Sequence, residues 1–497
     1  MLKDSTTLIK IVVVLVLLRI FSMVYFPYAD TTEPRYAEIA RIMAITGDWI
    51  TPWFESDKPF WGKPPLSFWF QAISINAFGV EEWTARFPSL IVTLITVWVI
   101  FKCAIEYAGN RAAYWAVAIY ATCALPYASA GAVLTDPYLA LGTVLCMAGL
   151  LFPSVSWRIA GFIGLAIGLL SKGPLALVLV LGPILMSLLV FRTKFWPPIQ
   201  KPLLLMGSLL VMALVLPWYI LAEIKTPGFL DYFIVGEHFR RYVDPGWAGD
   251  IYGSAHVKPY GSIWPLWIEA TFPWGVVAII AAVNVFIKGR AKLYLENITK
   301  DPVTFYYVSW AIFSMVFFTF AGNILWTYIL PAIPPFAILF GKKLSEWSDT
   351  SNNTITSIMG IWFSIFAVPL GIFIATVNIS ENPYLVKTEK MLIEYPKAIG
   401  LGYQDLWYIN ERPFSARYYS NGSVKLINVD DFDQMLKLHP YDELFLAVPF
   451  GIMFDFQEKH LDEKGIKWEY VTKGHSKRFE LLHIHKTQVP GKLHHPL

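Results

Sequence analysis

Cysteine and charge are both scarce in this chain of 497 residues. The 3 cysteines, Cys103, Cys123 and Cys146, are odd in number and lack CxxC spacing. That excludes a disulfide scaffold and a zinc ribbon. Charged residues make up 15%, against roughly 25% in an ordinary soluble domain, so disorder, a fibrous repeat and a cytosolic enzyme are excluded. Lys+Arg 40 against Asp+Glu 37 leaves a formal charge of +3, without the basic excess a nucleic-acid binder needs. Also missing is a duplication of interrupted helices, the mark of many carriers. A transporter is therefore the alternative reading rather than the first.

What the chain has in abundance is apolar and aromatic surface: 56% hydrophobic, 16% aromatic and 20 Trp. A bilayer-spanning helix needs about 20 mostly apolar residues, because hydrocarbon cannot solvate open backbone. Such runs lie near 8–26, 84–101, 112–129, 137–152, 159–171, 174–191, 203–222, 263–287, 303–321, 324–340 and 355–378. The first has no small-residue cleavage site after it and is expected to be retained. Placing the N-terminus inside puts Lys3, Lys102, Arg111, Arg158, Arg192, Lys194, Lys201, Lys288, Arg290, Lys292, Lys342 and Lys343 on the cytoplasmic side. An odd number of crossings then leaves the C-terminus outside. Residues 1–380 are expected to form a multi-pass, all-α membrane domain. Residues 381–497 are expected to form a small extracytoplasmic α/β domain, from apolar runs at Val424–Val429 and Leu444–Val448 with a helical pattern at Asp430–Leu438 between them. Its tail ends in His494 and His495.

The polar residues gather on the outer side. The first outer loop, 27–83, holds Asp30-Thr31-Thr32-Glu33-Pro34-Arg35-Tyr36-Ala37-Glu38 and, later, Lys63-Pro64-Pro65-Leu66. Pro34 suits the first position of a helix with Glu33 at its N-cap, and Ile39, Ile42 and Met43 give that helix an apolar face for the membrane surface. Leu66 to Phe78 is too short to span and reads as an interfacial or re-entrant helix. Asp136, Lys172 and a loop at 222–262 with Glu237-His238-Phe239-Arg240-Arg241 and His256 complete the set. Acids at an outer cavity could take a proton or bind a metal, and lysines and arginines could hold a phosphate.

Each has a plainer alternative. Asp30 and Glu33 suit helix capping, Lys63 and Lys172 suit interfacial snorkelling, and Asp136 suits the cap of its span. His238 and Arg240 read as solvated loop polarity. Gly164 and Gly168 suit close helix packing.

Asp30–Glu38, Gly47-Asp48-Trp49-Ile50-Thr51-Pro52, Lys63-Pro64-Pro65-Leu66, Arg86-Phe87-Pro88-Ser89, Thr135-Asp136-Pro137, Ser171-Lys172-Gly173-Pro174 and Glu237-His238-Phe239 occur in that order. Together they resemble the aminoarabinose-transferase/protein O-mannosyltransferase group of glycosyltransferases over residues 8–380. The resemblance implies the GT-C fold and a bacterial inner-membrane enzyme working on the extracytoplasmic side. The enzyme would move a sugar from a polyisoprenyl (undecaprenyl) phosphate to lipid A, another glycolipid or protein, with no nucleotide cofactor. It implies a base at the acidic pair before Arg-Tyr-Ala-Glu. Thr32 stands where the first acid is expected, leaving Asp30 and Glu33 as alternatives, with Asp136 a further catalytic candidate. It implies phosphate binding by Lys63, Lys172 and Arg241. His256 resembles the metal-ligand histidine of the aminoarabinose transferases, which commonly have a glutamate where this chain has Gly62, so a divalent metal ion remains an open expectation.

Overall fold

The computed structural model describes residues 5–55, 57–191, 200–253, 256–350, 355–398, 406–438, 443–463 and 466–485. Lys3, Arg192, Lys194, His494 and His495 lie outside them. The chain divides into two compact units, 1–24 with 39–374, and 25–38 with 375–497. The segment 25–38, expected within the first outer loop, thus clusters with the C-terminal residues. The contacts that place it there are long-range, and no local pattern encodes them.

The first unit is helical. Its elements are α1 (Ser5–Tyr25), α2 (Thr32–Thr46), α3 (Leu66–Phe78), α4 (Glu82–Thr122), α5 (Ala124–Ser129), α6 (Asp136–Leu151), α7 (Val155–Lys172), α8 (Leu175–Phe191) and α9 (Lys201–Lys225). A π-helix (Asp231–Arg240) follows, then α10 (Arg241–Val243), α11 (Ile263–Thr271), α12 (Trp274–Ile287), α13 (Ala291–Lys300), α14 (Pro302–Phe318), a 3-10 segment (Trp326–Ala332), α15 (Ile333–Thr350) and α16 (Ile355–Glu381). The expected apolar runs fall largely on helix, although the one at 303–321 outlasts α14 and the one at 324–340 starts outside helix and passes through the 3-10 segment before α15. By length and composition, 4 helices among the described residues can cross a membrane, or up to 5 if a bent pair counts as one. That pair is α11 and α12, expected as one span but bent by 111°. Pro273 stands at the break and has no N–H to continue a helical ladder. The runs at 84–101 and 112–129 join into α4, interrupted at Gly109 with φ +82. In α2, Ile39 and Met43 are buried in protein rather than turned to lipid.

Two features of this unit build the site. First, α6 and α7 pack through glycine. A Cβ on Gly142 would lie 2.6 Å from the Gly164 carbonyl oxygen, and one on Gly149 would lie 2.8 Å from Gly161 Cα. Backbones this close need residues without side chains. Arg158 locks the far end by donating to the Gly149 carbonyl at 2.9 Å. The antiparallel register that results brings the first residue of α6, Asp136, to the last of α7, Lys172. Second, Asp48 folds the loop before α3. Its carboxylate accepts from the Ile50 and Thr51 amides, Trp53 Nε1 and Lys225 Nζ. Tyr252 donates to the Pro59 carbonyl and accepts from the Trp61 amide, which fixes the stretch leading to Lys63.

The second unit holds a five-stranded sheet ordered β2-β1-β3-β5-β4. The strands are β1 (Leu406–Ile409), β2 (Lys425–Ile427), β3 (Glu443–Pro449), β4 (Lys467–His475) and β5 (Phe479–His485). β1 runs parallel to β2 and β3, while β5 is antiparallel to both β3 and β4. Its helices are α17 (Lys390–Ala398), α18 (Phe414–Tyr419), α19 (Phe432–Leu438) and α20 (Met453–Phe456). Central β3 is apolar from Leu444 to Val448 because both faces are covered. Phe445 and Ala447 pack with Leu392 and Phe479 on one side. Leu444, Leu446 and Val448 pack with Phe432 and Phe456 on the other.

Candidate functional site

The first unit contains a cavity of about 150 Å³ lined by Lys63, Lys172, Glu237, His238, Arg241, Asn323 and Tyr328. Apolar residues line it too: Pro174, Leu175, Val178, Phe317 and Phe318. Lys63, Lys172 and Arg241 are thus brought together from three parts of the sequence.

Glu237 sits between two of the cations. It accepts from Lys63 Nζ at 3.1 Å and from Arg241 Nη1 at 2.7 Å, with its side chain only 4% exposed. Burial alone would raise its pKa, but Lys63 and Arg241 outweigh burial and hold it at about 2. Arg241 also reaches Asp250 at 3.3 Å. Burial works against its charge, yet Glu237 and Asp250 keep its pKa above the usual value. The third cation is paired separately, Lys172 Nζ lying 3.0 Å from Asp136 and 5.7 Å from the centre of the Tyr328 ring.

The backbone around these groups is held by side chains. Asn323 donates to the Arg241 and Asp244 carbonyls and accepts from the Gly246 amide, which closes the loop after α10. At the end of α7, Gly173 has φ +64, and a Cβ there would lie 2.6 Å from the Phe233 ring. Only glycine suits both the left-handed backbone and that contact. The π-helix places Glu237 and His238 on the cavity wall, in keeping with the frequent use of π turns at functional sites.

The sequence passed over His238 as loop polarity. Its ring is in fact wedged between two backbone carbonyls, Nδ1 at 2.7 Å from Phe233 O and Nε2 at 2.8 Å from Lys172 O. Asp250, Asn323 and Tyr328 were also missed, since nothing local marks them. Glu237 was legible only as part of a motif.

The remaining candidates lie elsewhere. Asp30 belongs to the second unit, where its carboxylate accepts from the Ser415 amide and hydroxyl and from Arg478. Arg478 also pairs with Glu389 at 2.7 Å. Both oxygens of Asp30 are therefore engaged, and its side chain is 1% exposed. Glu33, in the first turn of α2, is half-buried and also falls in the second unit. His256 is exposed, and its carbonyl accepts from the Ile324 amide. Among the described residues, no three His, Cys, Asp or Glu side chains are grouped to hold a metal ion.

Comparison with known proteins meets this geometry from another direction. Residues 5–233 match the family model described as dolichyl-phosphate-mannose-protein mannosyltransferase. An undecaprenyl phosphate-alpha-4-amino-4-deoxy-L-arabinose arabinosyl transferase of Pseudomonas fluorescens is 28% identical over 367 residues, covering 70% of this chain and 60% of that one. One from Aeromonas hydrophila is 28% identical over 327 residues, covering 64% and 56%. The crystal structure of ArnT from Cupriavidus metallidurans bound to undecaprenyl phosphate superposes with a TM-score of 0.75 at 19% identity, over 97% of this chain and 98% of that one. The chain is similar to the aminoarabinose transferases and protein mannosyltransferases, and its fold is the GT-C fold of the solved ArnT structure.

With that fold come the several membrane-spanning helices already described and a small C-terminal sheet domain. The matches to the two curated GT-C relatives span 56% and 60% of those relatives' length.

Proposed function

We propose that the chain is a membrane glycosyltransferase that moves a sugar from an undecaprenyl-type phosphate carrier to an envelope acceptor, a lipid such as lipid A, another glycolipid or a protein. The observation that carries this reading is the cavity's mixed lining. Lys63, Lys172 and Arg241 share it with Pro174, Leu175, Val178, Phe317 and Phe318. Such a cavity suits an anionic headgroup on an apolar tail, with cations to compact or forked phosphate geometry. The curated relatives named for undecaprenyl-phosphate donors support the same class.

The chemistry is a single displacement. The acceptor hydroxyl attacks the anomeric carbon, the bond from that carbon to the phosphate oxygen breaks, and its electron pair leaves on the phosphate. Lys63, Lys172 and Arg241 meet the charge that grows there, which is where preorganised cations contribute most. Asp136 orients Lys172 through their 3.0 Å contact rather than touching substrate. The acceptor proton passes to a general base; of the two carboxylates read for that role from the sequence, Glu33 is the one not already saturated by Ser415 and Arg478. Asp30, saturated by Ser415 and Arg478, instead anchors the segment that carries Glu33. We place the protein in the bacterial inner membrane with this site on the extracytoplasmic side, the side opposite the Lys and Arg clusters of the short loops.

The test is transfer of labelled sugar from polyprenyl phosphate to a lipid or protein fraction by the purified full-length protein. Lys63→Ala and Lys172→Ala should each remove most transfer while the protein remains inserted and folded. Movement of labelled carrier across a vesicle membrane without bond formation would support a flippase instead.

A further inference from the structure

His238 carries more than its sequence context suggests. Both of its ring nitrogens meet carbonyl oxygens, Phe233 O at 2.7 Å and Lys172 O at 2.8 Å. A carbonyl oxygen can only accept, and a neutral imidazole has one N–H to give. In the neutral form one of the two contacts sets a nitrogen lone pair against an oxygen lone pair at hydrogen-bond distance. Only the imidazolium satisfies both.

We propose that His238 is a positioning residue that becomes imidazolium as a phosphate enters the cavity, and in that form ties the π-helix to the end of α7. Through the first carbonyl it braces the helix carrying Glu237 and Arg241. Through the second it holds the backbone of Lys172. This rests on the reading of the cavity as a phosphate site.

The surrounding charges supply the coupling. Lys63 approaches from the loop before α3, Lys172 from α7, and Glu237 and Arg241 from the ring's own segment. Asp136 on α6 is taken up by Lys172, and Asp250 by Arg241. Tyr328 lines the same cavity. With the cavity empty, burial and Lys63 together hold the ring's pKa below its ordinary 6.5, against the two carbonyls and Glu237. An anion beside the ring opposes both effects, so the bound ring keeps its proton to higher pH. Ligand binding and proton uptake are then linked, each favouring the other.

The link suits the chemistry. The sugar-linked carrier is a phosphodiester with one negative charge, and the departing phosphate monoester gains more. The proton on His238 comes from solvent and stays on the ring, so it adds positive charge beside the leaving group without entering the displacement. The acceptor proton goes separately to the general base. Gly173 leaves room for the ring: a Cβ there would lie 3.3 Å from His238 Cε1.

The experiment is calorimetric binding of a polyprenyl methyl phosphate diester to the full-length protein, since this probe keeps one charge at every pH used. Measured between pH 8 and pH 5 in buffers of different ionisation enthalpy, binding should tighten by at least about tenfold, one pKa unit's worth, and take up protons. His238→Gln should bind with little pH dependence and no uptake. A flat wild-type profile without proton uptake overturns the proposal, whether or not the variant folds. Failure of the diester to bind at any pH would instead remove the phosphate-site reading on which it stands.

Discussion

Replacing Glu237 by glutamine should make the protein less stable and better at holding phosphate. The carboxylate is buried between Lys63 at 3.1 Å and Arg241 at 2.7 Å, and these cations keep its pKa at about 2 instead of the ordinary 4.5. At ~1.4 kcal/mol per pH unit, that difference corresponds to ~3 kcal/mol of stability. The sign follows from the lowered value. The contribution is complete above the unfolded pKa, hence at pH 7, and is lost as pH falls toward the folded one. Glutamine keeps the shape and one acceptor oxygen but removes the counter-charge that Lys63 pairs with and leaves Arg241 with Asp250. Stranding a buried partner typically costs about 3–5 kcal/mol, which agrees in size. The melting temperature of the detergent-solubilised protein, followed by tryptophan fluorescence, should fall by roughly 5 °C. Undecaprenyl phosphate should then restore more stability in the variant than in the wild type, because Glu237 no longer competes for Lys63 and Arg241. An affinity gain of roughly tenfold is expected, within the usual range of coupling between sites, with slower turnover as product phosphate is retained. A variant that melts like the wild type, or binds phosphate more weakly, would refute this account of the cluster.

Further perturbations test the other parts. Lys172→Met should weaken phosphate binding by about tenfold or more and strand Asp136; adding Asp136→Asn should recover thermal stability without recovering binding, because a neutral pair removes the buried charge. Gly173→Ala should cost about 1–2 kcal/mol for the left-handed backbone alone, plus the clash with Phe233, and should lower transfer rates more than acceptor binding. In the C-terminal unit, Glu389 is fully buried and its pKa is raised to about 7 by burial, with Arg478 pulling it down and Asp30 pushing it up. A carboxyl raised in the folded state stabilises below its unfolded pKa and loses that contribution as pH rises toward 7. Glu389→Gln should therefore make this unit more resistant to limited proteolysis at pH 8 than the wild type, with the gap closing near pH 4. Arg478→Ala should release the segment 25–38, read as faster hydrogen exchange at the start of α2.

Much of the architecture was legible because lipid imposes simple rules. The eleven apolar runs, the sheet strands at Val424–Val429 and Leu444–Val448, and the helix at Leu66–Phe78 follow from run length and apolar content alone. Lys63, Lys172 and Arg241 could be picked out as cations near one membrane face. Their convergence on a single cavity could not, because it depends on how closely α6 and α7 pack through glycine and on a loop wound around Asp48. Asp30 shows the limit most clearly. Beside Glu33 in sequence it looked like an equal candidate for the base, yet its partners, Ser415 and Arg478, stand 385 and 448 residues away. His238 shows it again, since a histidine's role depends on what its two nitrogens face, and here both face backbone. Composition and periodicity thus determined the membrane class, the helices and the pool of charged residues, since these depend only on each stretch's exchange between water and lipid. Tertiary structure alone decided which charges meet, which are spent on holding the fold and which remain for a ligand, because a charge's energy is set by neighbours that the chain brings from far along its length.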